Sequence, residues 1–257
     1  MIVKALLDHP VAGYIERMAF ERLSGKALAC AVNARNHLVR AQKIADISTT
    51  VSYFCATHAT EEAVAAFIAS AKRHGYRKLA GRVNVRDHAQ KAVVSAYAQL
   101  ISGLAEDIGV AIAHEPSADD LLIRITSESG TAFDKLSLGL FSFNEDHQDI
   151  TSDSAHFAFS RMFNNTEAMV ARVVERAGFR EKALYAQDGG APDMSREQLD
   201  TNLREHTLLT LGLIWAAIDV TLHENPKPFV VQTLDAISRV IAQVKPPKIC
   251  KHCGEPG

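Results

Sequence analysis

The segment from Ser52 to Ile68, SYFCATHATEEAVAAFI, constrains this chain more than any other. Small and apolar residues fill it in helical order, interrupted by His58 and the adjacent carboxylates Glu61 and Glu62. A helix that is apolar on nearly every side belongs in a core. A carboxylate taken into such a core is costly unless a cation or hydrogen-bond donor meets it. A partner must therefore come from elsewhere in the chain, and a basic run lies downstream. Residues 72–91 hold seven Lys/Arg (Lys72, Arg73, Arg77, Lys78, Arg82, Arg86 and Lys91) against one acid, Asp87. An acidic pair facing an arginine and a histidine suits a site that handles phosphate esters. It suits a structural salt bridge equally well.

At 257 residues the chain is long enough for one large domain with a substantial core. A formal charge of −2 argues against a protein that grips duplex nucleic acid over its whole surface. Four cysteines are too few for a disulfide scaffold at this length, and a reducing cytoplasm is the natural expectation. The N-terminus has only Lys4 before a short apolar run broken by Asp8 and His9, unlike a signal peptide. The most apolar window, Thr207 to Leu222, is shorter than a membrane span needs and contains Asp219, so it reads as a core helix.

Apolar residues at three-to-four spacing predict helices over 11–23 and 26–44, the latter with Leu28, Val32, Leu38 and Ile44 among its apolar positions. Ser48 or Thr49 is placed to cap a helix running to about His74, where Gly75 stops it. Asn84 is placed to cap the next, with Asp87 at its third position and its end near Ile108. Between 110 and 153 the period changes. Leu121–Ile125 and Leu136–Phe143 predict a β-hairpin turning at Ser129-Gly130, an insertion in a helical protein. Helical patterning resumes over 155–177. A capping box, Ser195-Arg-Glu-Gln198, then opens a helix reaching His223, and a last helix covers 229–244. The expected architecture is mainly α: one helical domain over 1–244 with a small inserted β-hairpin, and a short Cys-x-x-Cys tail over 245–257.

On a helix His58 lies one turn from both Glu61 and Glu62, so its imidazole can meet a carboxylate. If Asn84 caps the helix, His88 falls in its first turn and Arg82 in the preceding loop. Loop and helix start could then present a guanidinium and an imidazole to one phosphate. Metal-independent RNA cleavage is the chemistry this would suit. His88 would exchange a proton with the ribose 2′-OH or the leaving oxygen, Arg82 would offset charge at phosphorus, and Glu61 or Glu62 would hold one of them. Arg77, Lys78, Arg86 and Lys91 are the candidate contacts to the RNA backbone. The tail Cys250-Lys-His-Cys253-Gly has the shape of a zinc knuckle and offers two ligands of a structural zinc, which wants four. No organic cofactor is expected.

The order of these signals resembles the HEPN superfamily, and within it the AbiV-type abortive-infection proteins. The likeness rests on Tyr53-Phe-Cys-Ala-Thr-His-Ala-Thr-Glu61-Glu62-Ala, on the basic segment with Arg82 and His88, and on Leu184-Tyr185-Ala-Gln-Asp188-Gly189 before a long helix. The resemblance implies a helical bundle, a homodimer, and toxicity directed at RNA or the translation machinery in phage defence, with a neutralising partner protein and no membrane. It maps the Arg–His pair of HEPN ribonucleases onto Arg82 and His88 and the acid onto Glu61 or Glu62. The sequence departs from the family pattern where Ala63-Val64-Ala65 follows the paired glutamates and where Val83 follows Arg82. The alternative expectation is a non-enzymatic helical binding module that uses the same acidic and basic pairs to lock its fold.

Overall fold

Helix α4 (Thr49–Arg73) is the axis about which the other elements are arranged. It begins where the Ser48 hydroxyl accepts the Val51 N–H at 3.3 Å, and it ends at His74, beyond which Gly75 turns the chain at φ +91°. Fifteen of its residues are buried, among them Ala56, Ala59, Ala63 and Ala66 at none of whose surfaces water arrives. The architecture was taken from a computed structural model, which describes residues 2–107, 110–127, 130–142, 171 and 194–244.

Three elements precede this axis. A short α1 (Ile2–Leu7) leads into α2 (Pro10–Arg22), whose proline sits at the first turn where its missing N–H has no partner to lose. Helix α3 (Gly25–Ile44) then runs antiparallel to α4, since Cys30 lies beside Glu62, His37 beside His58, and Ala41 accepts the Ser52 hydroxyl at 2.7 Å. The buried stripe of α3 is Ala27, Ala31, Ala34, Leu38 and Ala41. Leu28 and Val32, expected on that face, are only partly buried. Alanines facing alanines let two helices approach closely, and close approach of backbones is how the small residues contribute to packing.

Beyond α4, the single turn α5 (Arg77–Ala80) and a loop lead to α6 (His88–Asp107). Asp87 caps α6, accepting the N–H groups of Ala89 at 3.0 Å and Gln90 at 3.3 Å. Asn84, expected to cap this helix, instead accepts the Arg86 N–H and closes the loop ahead of it. The helix therefore starts later than the sequence suggested, with His88 as its first residue.

The β insertion is a three-stranded antiparallel sheet, β1 (Val110–Glu115), β2 (Asp120–Ser127) and β3 (Gly130–Lys135), in that order. Val110 pairs with Ile125, and Ile125 with Ala132. The expected hairpin, with Leu136–Phe143 as its second arm, is thus corrected: residues 136–142 do not form a strand. Leu136 is buried and its N–H reaches Leu121 at 2.8 Å, after which Leu138–Leu140 turns as a 3-10 helix. The true arm, GTAFDK, is exposed along its whole length, so it carries no apolar alternation by which to recognise it.

Helix α7 (Arg196–Asp219) opens on the expected capping box, Ser195 and Gln198, and runs alongside α4 in the same direction. Thr60 meets His206 and Thr210, and the Ser70 hydroxyl donates to Ala217 at 2.6 Å. The stretch Arg196–Leu222 is long and apolar enough by composition to cross a membrane, yet half of its apolar window is buried inside the protein. Its Asp219 is 3 % exposed and is held by His223, as befits a core helix. Helix α8 (Pro228–Val244) closes the larger core, which α2, α3, α4, α6 and α7 also line. A smaller core joins α1 to the facing ends of α3, α4 and α7. Apart from Ala171, which is helical, the expected helix over 155–177 lies outside the described residues, as does the Leu184–Gly189 stretch.

Candidate functional site

Positions 54, 58, 61 and 62 fall on neighbouring turns of one side of α4, which looks toward both α3 and α6. Glu61 is the centre of the cluster. It is 5 % exposed, and one of its oxygens, Oε2, receives three groups. The Lys91 ammonium lies at 2.7 Å, the His88 Nδ1 at 2.8 Å and the His58 Nδ1 at 3.6 Å. Lys91 and His88 are three residues apart at the start of α6, so one helical face delivers both. A buried carboxylate with an ammonium and an imidazole donor is satisfied, which is the condition under which such a charge is tolerated.

The two glutamates do not act as a pair. Successive helix residues point about 100° apart, and Glu62 faces α3 instead. There it lies beside Cys30, whose thiol is pushed up to about 11 by burial and by the Glu62 charge and hydrogen bond. Two turns further along α3 lies His37, whose ring stacks on His58 at 5.4 Å between centroids. The His37 Nδ1 is buried without a hydrogen-bond partner among the described residues. Burial and the neighbouring Arg40 lower the pKa of His37, with Glu62 opposing them. Phe54 meets the edge of His58 at 4.3 Å, and His58 and His88 stand 6.4 Å apart at 73°. Two imidazoles, His88 and His58, therefore border the Glu61 carboxylate, and a third, His37, stacks on His58 from α3.

Exposure separates their roles. The His88 side chain is 48 % exposed, whereas that of Lys91 is 7 % exposed. A carboxylate can only accept, so the His88 nitrogen facing Glu61 carries the proton. In the neutral ring the other nitrogen, Nε2, then holds a lone pair that can take a proton from a bound molecule. The carboxylate–imidazole unit is thus competent for acid–base chemistry, with Glu61 fixing the tautomer of His88.

Among the residues singled out from sequence, the structure brings Glu61, His58 and His88 together. Arg82 is not joined to them by any bond. Its guanidinium lies 3.2 Å from Asp235 of α8, a carboxylate that Arg239 also holds at 2.9 Å. Arg77, Lys78 and Arg86 are exposed around the same α5–α6 connection. Lys91 is the correction: expected on an RNA-facing surface, it is buried and committed to Glu61. Its spacing from His88, one turn on the same helix, was the signal for this and was available in the sequence. His37 had no such signal, because only the packing of α3 on α4 places it. Cys250 and Cys253 lie outside the described residues, and among those described no group of three or more His, Cys, Asp or Glu is arranged to hold a metal.

A second buried network lies at the far end of α4. The Tyr76 hydroxyl is 2.6 Å from His223 Nδ1 and accepts the Lys227 N–H at 2.8 Å. His223 Nε2 reaches Asp219 at 2.9 Å, and Asp219 also accepts the Leu138 N–H at 2.9 Å. The network joins the α4–α5 turn, the end of α7, the start of α8 and the segment after β3. Each member is satisfied by another, which suits a structural junction. No family model, no curated protein and no solved structure matches this chain.

Proposed function

We propose that this protein is a cytoplasmic HEPN-type effector of the AbiV-like kind, a phage-defence toxin acting on RNA as a metal-independent endonuclease. The observation that carries this proposal is the 2.8 Å contact between buried Glu61 and half-exposed His88. In the proposed reaction His88 Nε2 removes the 2′-OH proton of a ribose. The freed oxygen attacks the adjacent phosphorus, and the P–O5′ bond breaks to leave a 2′,3′-cyclic phosphate and a 5′-oxygen, which is protonated by water as the imidazolium returns its proton to solvent. Glu61 is a positioning residue, holding the imidazole and steadying the imidazolium that forms. His58 flanks the same carboxylate and Glu62 takes no part.

Arg82 enters this scheme by exchange. Its bond to Asp235 is made with the guanidinium 48 % exposed, and an exposed pair of this kind is worth about 1 kcal/mol or less. A phosphate could take it over at little cost, and Arg77, Lys78 and Arg86 would draw the backbone toward it. Incubation with total RNA followed by analysis of the ends tests the proposal. Cyclic-phosphate products that vanish in His88→Ala and weaken in Glu61→Gln support it. An RNA-degrading activity unchanged in His88→Ala, or none at all, would refute it.

A second reading is favoured by the pairing itself. Lys91 with Glu61, and Arg82 with Asp235, each satisfy the other within the fold, as in a binding module whose charges lock the bundle or a homodimer. Cell toxicity that survives His88→Ala and Arg82→Ala, with a captured partner from the translation machinery, would favour this reading over cleavage.

A further inference from the structure

We infer that the cavity between the start of α3 and the end of α4 is a binding site for a single phosphate group. It measures ≈ 150 Å³ and is lined by Arg22, Ser24, Lys26, Arg73 and His74, together with small or apolar residues and Thr221. No carboxylate lines it. Arg17, Arg35, Arg82, Arg196 and Arg239 each find an aspartate or glutamate elsewhere. Arg22, Lys26 and Arg73 have no ion pair among the described residues, although they converge from three helices.

Arg73 is positioned for this purpose. Its guanidinium donates to the Ser24 hydroxyl at 2.8 Å, and Gly25, at φ +55°, turns the chain so that this hydroxyl meets α4. Ser24 consequently makes no side-chain cap to α3, so no hydroxyl competes with an anion for the first-turn N–H groups. The local potential is positive. Burial and then Arg73 lower the pKa of His74, and burial and then Lys26 lower that of Lys72. Unpaired cations held this close repel one another unless an anion lies between them.

Size selects the ligand. The cavity is well below the ~300 Å³ at which pockets begin to engulf whole organic ligands. A tetrahedral oxyanion fits, and any ester group attached to it would project into solvent. Two guanidiniums and an ammonium match a phosphate, which offers several charged oxygens for charge-assisted hydrogen bonds. The site is twelve residues along α4 from Glu61, roughly 18 Å at helical rise, and shares no residue with the proposed acid–base centre. It stands or falls without the RNA proposal.

The experiment is calorimetric titration of the full chain with inorganic phosphate and, separately, with adenosine 5′-monophosphate, at constant ionic strength set by chloride. The ring protons of His74, followed by NMR, report whether binding is local. Saturable binding that shifts His74 is expected, weakened about tenfold in Lys26→Gln and in Arg73→Gln, as loss of a charge-assisted contact implies. Lys26→Gln removes no hydrogen bond to a described residue, so its thermal midpoint without phosphate should match the unsubstituted protein. Tighter binding of the nucleotide would assign a phosphomonoester, and equal or weaker binding would assign free phosphate; either supports the site. Absence of saturable binding by both ligands, or affinities unchanged in both variants, overturns it.

Discussion

Replacing Lys91 by methionine tests whether Glu61 is held in the core by its ammonium. Methionine keeps the apolar stem and removes only the charge and its donors. Glu61 and Lys91 are 5 % and 6 % exposed and their charged atoms lie 2.7 Å apart. At an effective dielectric near 20 the bare attraction is about 6 kcal/mol, most of which offsets desolvation of the two groups. Removing the ammonium leaves the buried carboxylate without its closest cation, beside the imidazoles of His88 and His58, and such losses are about 3–5 kcal/mol. For a chain of this size that corresponds to a fall in thermal midpoint of roughly 6–20 °C. Urea unfolding followed by circular dichroism would be compared for Lys91→Met, Glu61→Gln and the double variant. The double variant should be less destabilised than the sum of the singles, with a coupling above about 1 kcal/mol. A loss below about 1 kcal/mol in Lys91→Met, or strict additivity, would refute a buried ion pair at this site.

Three further outcomes follow from the same geometry. His37 has a folded pKa below its unfolded value near 6.5, so the unfolded chain binds more protons in acid. Its contribution is therefore fully present above pH 6.5 and lost as pH falls below it, and His37→Phe should flatten the decline of the unfolding midpoint between pH 7 and pH 5. The Cys30 thiol, pushed up to about 11, is about 0.1 % thiolate at pH 8 and should alkylate slowly with iodoacetamide. Glu62→Gln should speed that reaction, as read by mass spectrometry of the Cys30 peptide; an unchanged rate would show that the carboxylate does not face the thiol. Tyr76→Phe leaves the His223 nitrogen and the Lys227 N–H without their shared oxygen, which should lower stability by about 1–3 kcal/mol in urea unfolding. An indistinguishable midpoint would mean that water or another group takes its place.

Helical elements were legible in the sequence where apolar period and cap chemistry agreed. Ser48 and the Ser195–Gln198 box both begin helices as their side chains dictate. Asn84 and Asp87 show where this logic stops. Both can cap, three residues apart, and the choice falls to Asp87 because the loop before it is closed by Asn84 itself. The edge strand β3 was hidden because pairing with β2 is made by backbone atoms, and its side chains face water. That a carboxylate of the Glu61-Glu62 pair enters the core is legible from a helix apolar on nearly every side, but which of the two does so is set by the packing of α6. The identity of its ammonium partner was not drawn from the sequence, because Lys91 belongs to a basic run whose other members are largely at the surface. Charge density alone does not distinguish a lysine that meets solvent from one that neutralises a core carboxylate. Helical register does, and here it sets Lys91 on the face of His88.

The chemistry available at Glu61 depends on which of Lys91 and His88 can leave it. Lys91 is buried with the carboxylate, and separating them would strand both charges at a cost of several kcal/mol. His88 is half exposed, and its imidazole can turn into solvent or gain a proton without stranding anything but one hydrogen bond. The ammonium therefore keeps Glu61 fixed in place whichever way His88 moves. A carboxylate pinned in this manner can orient an imidazole repeatedly. That division between a permanent counter-ion and an exchangeable one is what makes this cluster a better candidate for proton transfer than the sealed Asp219–His223–Tyr76 network, where every partner is equally buried.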